Sequence, residues 1–268
     1  MWVNLAPGLS PMALVAWRVL LAALLFRLFF PRVRRGFTGA AWGLGSMLVA
    51  YYLAAVFAFQ HAPVGEVSLC IGCAPLFVLL YQALGGRFPL LGELTAVTLT
   101  LTGLGVMLWP SMTDGSQTGV WVGLLSALVA AALTAGYATA HRALALRARS
   151  PSGAEVGRAA FLPLGLILLL GAGFAGGGAV MPRQTLAVLA VLGLGVVSTA
   201  LPTLAVAVAS SRLPAFLNTL IRLTTPVFAT GFGWVFLHQQ LTLWTLGGGA
   251  LILCGLVVQG LGGGGRTI

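Results

Sequence analysis

Nine runs of mostly apolar residues follow one another along this chain, and the links between them are too short to hold a soluble domain. The runs are 11–30, 39–60, 63–84, 91–110, 118–141, 155–176, 185–210, 213–237 and 241–261. A helix needs about 20 residues to cross roughly 30 Å of hydrocarbon. Lipid cannot satisfy a backbone polar group, so spanning segments must be helices or closed barrels. The spacing therefore predicts an all-α, polytopic helix bundle embedded in a lipid bilayer. The overall balance agrees, with 59% hydrophobic residues, 7% charged residues and a mean hydropathy of +1.03.

The net charge of +10 comes from 14 arginines and no lysine. A basic chain can bind nucleic acid, but these arginines stand mostly at the ends of runs, which points to membrane topology instead. Arg32, Arg34 and Arg35, Arg87, Arg142, Arg147 and Arg149, Arg212 and Arg266 all fall on one face if nine spans alternate. The opposite links hold only Arg183 and Asp114. Cytoplasmic links carry the excess of arginine, so the N-terminus is expected outside and the C-terminus inside. Reporter fusions at 62, 114 and 238 should read as external and those at 36, 148 and 266 as internal. Reversal at two of these sites would overturn the nine-span map. The absence of lysine beside abundant Ala, Gly and Leu suits a GC-rich bacterial genome, hence a bacterial cytoplasmic membrane.

The chain also repeats itself. Ser10-Pro11 precedes Arg18 at the spacing with which Ser150-Pro151 precedes Arg158. Gly43-Leu44-Gly45 recurs as Gly193-Leu194-Gly195, Ala62-Pro63 is echoed by Leu213-Pro214, and Pro75 by Pro226, at slowly growing offsets. The division is 1–110 for the first copy, with four spans, and 118–268 for the second, with five. The run 118–141 has no counterpart ahead of residue 11, so the first helix is expected to be missing, and "MWVNLAPGL" reads as the tail of a lost helix and its link. No cleavable signal peptide is visible. A complete parent would have five plus five spans, and an odd number per copy inverts one copy relative to the other. Inverted repeats are an architecture of secondary carriers, with the substrate site between the copies.

Several stretches resemble the drug/metabolite transporter superfamily, EamA type. "SPMALVAWRVLLAALL" is similar to that family's second helix, "APVGEVSLCIGCAPLFVLLYQALGGR" to its fourth, and "LPAFLNTLIRLTTPVFATGFGWVFLHQQLTLWTLGGGALILCGLVV" to its ninth and tenth. The family commonly carries an acid in the links after its fourth and ninth helices, where this chain has Arg87 and Gln239. The resemblance implies a carrier of small organic metabolites, with export of amino-acid-like compounds the leading reading. It also implies that the third and eighth runs line the pathway.

Candidate site residues follow from polar side chains inside apolar runs, which cost several kcal/mol if they face lipid. Glu66, Cys70, Cys73 and Phe77 share one helical face of the third run. Asn218, Arg222 and Thr225 do so on the eighth. Arg222 lies near the middle of its run. It reads as an anion or carboxylate clamp, against the alternative of an arginine bonded to neighbouring carbonyls. Glu66 is the acid best placed for substrate contact or proton coupling, although a carboxylate in a helix's first turn is also favoured by the dipole alone. Cys70 and Cys73 lack further metal ligands and read better as small buried residues. One of Tyr51 and Tyr52 should face the cavity. Arg18, because it is echoed by Arg158, points to a structural role in fixing helix ends. Pro75, Pro163, Pro202 and Pro226 each free a carbonyl and permit a kink. Gly123, Ala127, Ala130 and Thr134 form a stripe suited to helix packing.

No acid–histidine cluster, Walker sequence or selectivity-filter pattern is visible, so the chain reads as neither an enzyme nor an ATP-driven pump, and it calls for no cofactor. The expected partners are a small-molecule substrate and lipid, with proton coupling through Glu66 and a homodimer admitted. The alternative function is a non-transporting membrane adaptor, which flux into sealed vesicles would separate from a carrier.

Overall fold

Serine caps and proline breaks set the helix boundaries. Ser10 accepts a hydrogen bond from Ala13 N at 3.2 Å, and Pro11 opens α1 (Pro11–Phe29) at the position where its missing N–H costs nothing. Thr38 caps α2 (Gly39–His61) in the same way. The helix α7 (Gly153–Ala175) starts with a reciprocal cap instead. Ser152 N donates to Glu155 Oε2 at 2.6 Å, and Glu155 N donates to Ser152 Oγ at 3.2 Å.

The computed structural model describes residues 9–30, 38–86, 91–113, 118–175, 179–182, 184–213, 215, 218–219 and 242–263. The remaining helices are α3 (Val64–Gly72), α4 (Ala74–Leu84), α5 (Leu91–Thr113), α6 (Thr118–Leu146), α8 (Thr185–Gly195), α9 (Leu201–Arg212) and α10 (Leu243–Gly263). An isolated bridge joins Leu9 to Ala179. Six helical stretches among the described residues are long and apolar enough to cross a membrane. They are Pro11–Phe29, Gly39–His61, Glu66–Leu84, Val120–Leu146, Gly153–Phe174 and Ala187–Arg212. The run 91–110 is helical, as is the last run from Leu243 onward, with shorter apolar cores at Leu94–Gly103 and Leu246–Gly255. The run 213–237 lies almost wholly outside the described residues.

Two runs expected as continuous helices are interrupted. The third breaks at Cys73, whose N–H turns back to Cys70 O at 3.1 Å, with Pro75 two residues on. A proline ring clashes with the carbonyl four residues earlier, and one tight turn absorbs the conflict. The break also resets the helical phase, so Cys73 and Phe77 do not simply continue the face begun by Glu66 and Cys70. The seventh run contains a π-helical turn, Val196–Ala200, between α8 and α9. Pro202 stands two residues beyond it and has no N–H for Ser198 O. A π turn inserts one residue into a helix. That residue accounts for the last step in the offset, because Gly45 maps to Gly195 ahead of the turn while Pro63 maps to Pro214, one residue further on, beyond it. Pro163, by contrast, is carried inside an unbroken α7.

The echoed glycines make echoed contacts. A Cβ on Gly45 of α2 would overlap Ala160 Cβ of α7 and stand 3.0 Å from Val156 O. A Cβ on Gly195 of α8 would overlap Leu21 of α1. A second pair is self-complementary. A Cβ on Gly103 of α5 would lie 2.6 Å from Gly248 O and 2.9 Å from Leu251 Cβ of α10, with Ile252 next. One on Gly255 of α10 would lie 2.7 Å from Ala96 O, with Thr100 and Leu99 next. The shift that carries 103 onto 255 carries 96, 99 and 100 onto 248, 251 and 252. As α5 advances from 96 to 103 its contact on α10 retreats from 255 to 248, so the two helices run antiparallel.

The main core lies among α1, α2, α6, α7 and α8, where Leu14, Val15, Phe26, Val56, Tyr137 and Phe161 are fully buried. The small-residue stripe of α6 packs against α2. Ala127 is buried with Ala58, and a Cβ on Gly123 would stand 2.9 Å from Ala62 Cβ.

Candidate functional site

Arg18 lies eight residues into α1 and is only 5% exposed, among apolar neighbours. An arginine at this depth costs roughly 2.5–3.5 kcal/mol on insertion scales unless its donors are met. The interrupted seventh run meets them. Nε donates to Thr199 Oγ1 at 2.8 Å, and Nη2 donates to Ser198 O at 3.0 Å. Ser198 O is the carbonyl that Pro202 leaves without its helical donor, so the proline creates the acceptor that the arginine takes. The guanidinium also lies over the ring of Tyr52, 4.1 Å from its centroid, where the ring quadrupole attracts a cation.

The hydroxyls around it have fixed directions. Thr199 donates to Leu194 O at 2.7 Å, leaving its lone pairs for Arg18. Thr203 donates to Thr199 O at 2.6 Å. Its single proton is thereby used, so at the 3.2 Å contact between Tyr52 and Thr203 the phenol is the donor. Arg18, Tyr52, Thr199 and Thr203 are all buried, and they join α1, α2 and the π-helical break in one polar cluster. Its acceptors toward Arg18 are neutral.

Of the residues expected at a site, Tyr52 is therefore the tyrosine that faces inward. Tyr51 is half-buried with its ring 5.2 Å from that of Tyr52. Glu66 stands in the first turn of α3, half-buried, with Oε2 withdrawn from the surface. Cys70 is fully buried one turn on, in a separate apolar cluster with Ala58, Val67, Leu124 and Ile252. Asn218 is buried and donates from Nδ2 to Ser210 Oγ of α9 at 2.7 Å. Arg222 and Thr225 lie outside the described residues. The two echoed arginines do different work. Arg158 is part-exposed and donates to Phe30 O, tying down the end of α1 as expected of a helix-end residue. Arg18 instead holds the interior of α1 to the break. The missed signal was Pro202 four residues after Ser198, with Thr199 and Thr203 in the same apolar run.

The EamA-like transporter family model matches residues 121–260, just over half of the chain. The chain belongs to the EamA-like transporter family. EamA-like proteins are membrane transporters, and the apolar helices make this one a multi-pass membrane protein. A solved crystal structure aligns with this EamA-like chain at a TM-score of 0.70, over 97% of this chain and 93% of the other, with 21% sequence identity. At that identity the likeness shows the fold alone. No curated protein matches the chain.

Proposed function

We propose that this EamA-like protein is a secondary carrier of a bacterial cytoplasmic membrane, working by alternating access and exporting small amino-acid-like metabolites. The observation that carries the mechanism is the antiparallel, self-complementary contact between α5 and α10. Such a contact has an axis in the membrane plane, which is the symmetry of inverted-repeat carriers that rock one copy against the other. The export direction and the amino-acid-like cargo rest on the family resemblance.

The substrate site in this reading lies between the third and eighth runs. Arg222, Asn218 and Thr225 come from one side, Glu66 and Cys70 from the other, and Tyr51 and Tyr52 form an aromatic wall. Glu66 carries the coupling proton. Arg18 is a positioning residue that fastens α1 to the break between α8 and α9, so that these elements move together.

Arg222→Gln and Glu66→Gln test the site, because glutamine keeps hydrogen-bonding capacity and removes charge. Each should abolish flux in sealed vesicles while leaving yield and melting temperature intact. An Arg222 clamp favours substrates with a carboxylate. A coupling Glu66 makes flux depend on external pH, and Glu66→Gln loses that dependence. Normal flux in both variants would refute the site, and absence of flux for any metabolite in the unaltered protein would favour the adaptor reading.

A further inference from the structure

The seam between α1 and α7 is apolar along its length and cationic at one end. The two helices run antiparallel. A Cβ on Gly171 would lie 3.9 Å from Met12 Sδ, one on Gly165 would lie 2.8 Å from Leu20 Cγ, and one on Gly157 would overlap the ring of Phe26. This trend sets Arg27 of α1 level with Arg158 of α7. Residues three, four, seven or eight apart share a helical face. Leu20 and Leu24 therefore lie on the face of Arg27, and Leu162 and Leu166 on that of Arg158. Leu24 is 52% exposed and Leu166 47%, so these faces open away from the main core.

Both guanidinium groups keep donors to spare. Arg158 Nη1 donates to Phe30 O at 2.6 Å, which uses one of its five N–H groups. Arg27 is exposed and makes no hydrogen bond or ion pair among the described residues. Glu155, the acid one turn from Arg158, has its carboxylate turned back to Ser152 N at 2.6 Å, where it closes the cap of α7. Two positive charges thus stand side by side at the head of an apolar strip. A free inorganic anion would meet the charges and leave the leucines bare. The chain of a neutral lipid would cover the leucines and leave the charges unmatched. A phospholipid of net negative charge meets both.

We propose that the seam of α1 and α7 binds an anionic phospholipid, with its phosphate on Arg27 and Arg158 and one acyl chain along Leu20, Leu24, Leu162 and Leu166. The planar forks of two arginines suit phosphate oxygens. The bound lipid bridges the end of α1 and the start of α7 beside the contact between Arg158 and Phe30 O. It therefore braces two helices that are counterparts in the repeat.

Native mass spectrometry of the purified protein, titrated with phosphatidylglycerol and with phosphatidylcholine of the same chains, tests the site. The unaltered protein should bind phosphatidylglycerol at least tenfold more tightly. Arg27→Gln and Arg158→Gln should each remove most of that preference. Arg147→Gln and Arg149→Gln, in the exposed link between α6 and α7, should change it less than twofold. Diffuse attraction to an anionic surface acts on every nearby arginine alike, by about fivefold each. Equal losses at all four positions would therefore overturn the site. Arg158→Gln also gives up the bond to Phe30 O, so Arg27→Gln, which removes no described contact, decides if Arg158→Gln fails to fold. Inorganic phosphate at millimolar concentration should leave the lipid in place. Displacement by phosphate would mark a site for free anions and overturn the lipid assignment, as would equal binding of the two lipids.

Discussion

Arg18→Met is expected to cut flux in sealed vesicles at least tenfold while moving the melting temperature by no more than a few degrees. Two effects on stability oppose each other. Removing the guanidinium leaves Ser198 O without a donor, at about 1–3 kcal/mol for a buried unsatisfied group, and it also relieves the cost of holding a charge inside the bundle, roughly 2.5–3.5 kcal/mol. The fold should therefore survive. What goes is the link from α1 to the break, made through Thr199 Oγ1 and Ser198 O. Arg18→Lys should give intermediate flux, since an ammonium keeps the charge but lacks the planar fork that reaches both acceptors. Thr199→Val should move flux in the same direction as Arg18→Met. Wild-type flux in Arg18→Met would remove Arg18 from the mechanism, and a collapse in yield would mark it as a structural staple only.

The second large effect is expected where α5 meets α10. Gly103→Ala and Gly255→Ala each place a methyl group under 3.0 Å from a backbone oxygen on the opposing helix, Gly248 O and Ala96 O respectively. Backbone cannot swing aside as a flexible side chain can, so the helices must part. Overpacking of this kind costs about 1–3 kcal/mol, read as a lower unfolding midpoint in detergent. The double variant should cost less than the two singles together, because one separation relieves both clashes and neighbouring sites couple. Full additivity would show that the two contacts are independent, against a shared interface.

The all-helical, multi-pass membrane character could be read from the residues, because apolar length reports directly on a bilayer. The breaks were harder. Pro75, Pro163 and Pro202 all sit in apolar runs, yet α7 absorbs Pro163 while the other two accompany interruptions. A proline frees a carbonyl wherever it occurs, but what happens next depends on what stands opposite. For Ser198 O that is Arg18, far away in sequence. No local pattern contains that pairing, and the echo between Arg18 and Arg158 pointed to one shared role where the fold has two. Tyr52 could be narrowed to one of two adjacent residues, and only the packing of α2 selects it. For Cys70, residue type alone pointed to the apolar cluster in which it lies.

The extra residue in Val196–Ala200 also acts as a rotational offset within a single span. Each helical residue turns the chain by about 100°, so α9 is set a fraction of a turn away from where an unbroken α8 would have placed it. The first half of the span can then direct Ala190 and Leu194 into the main core, while the second half buries Thr203, Ala207 and Ser210 on its own heading. Deleting any one of the five residues would restore a regular helix with the side chains beyond it near their present bearings, but it would remove the turn that offers Ser198 O and Thr199 Oγ1 to Arg18. Length within this turn is for that reason under tighter constraint than residue identity.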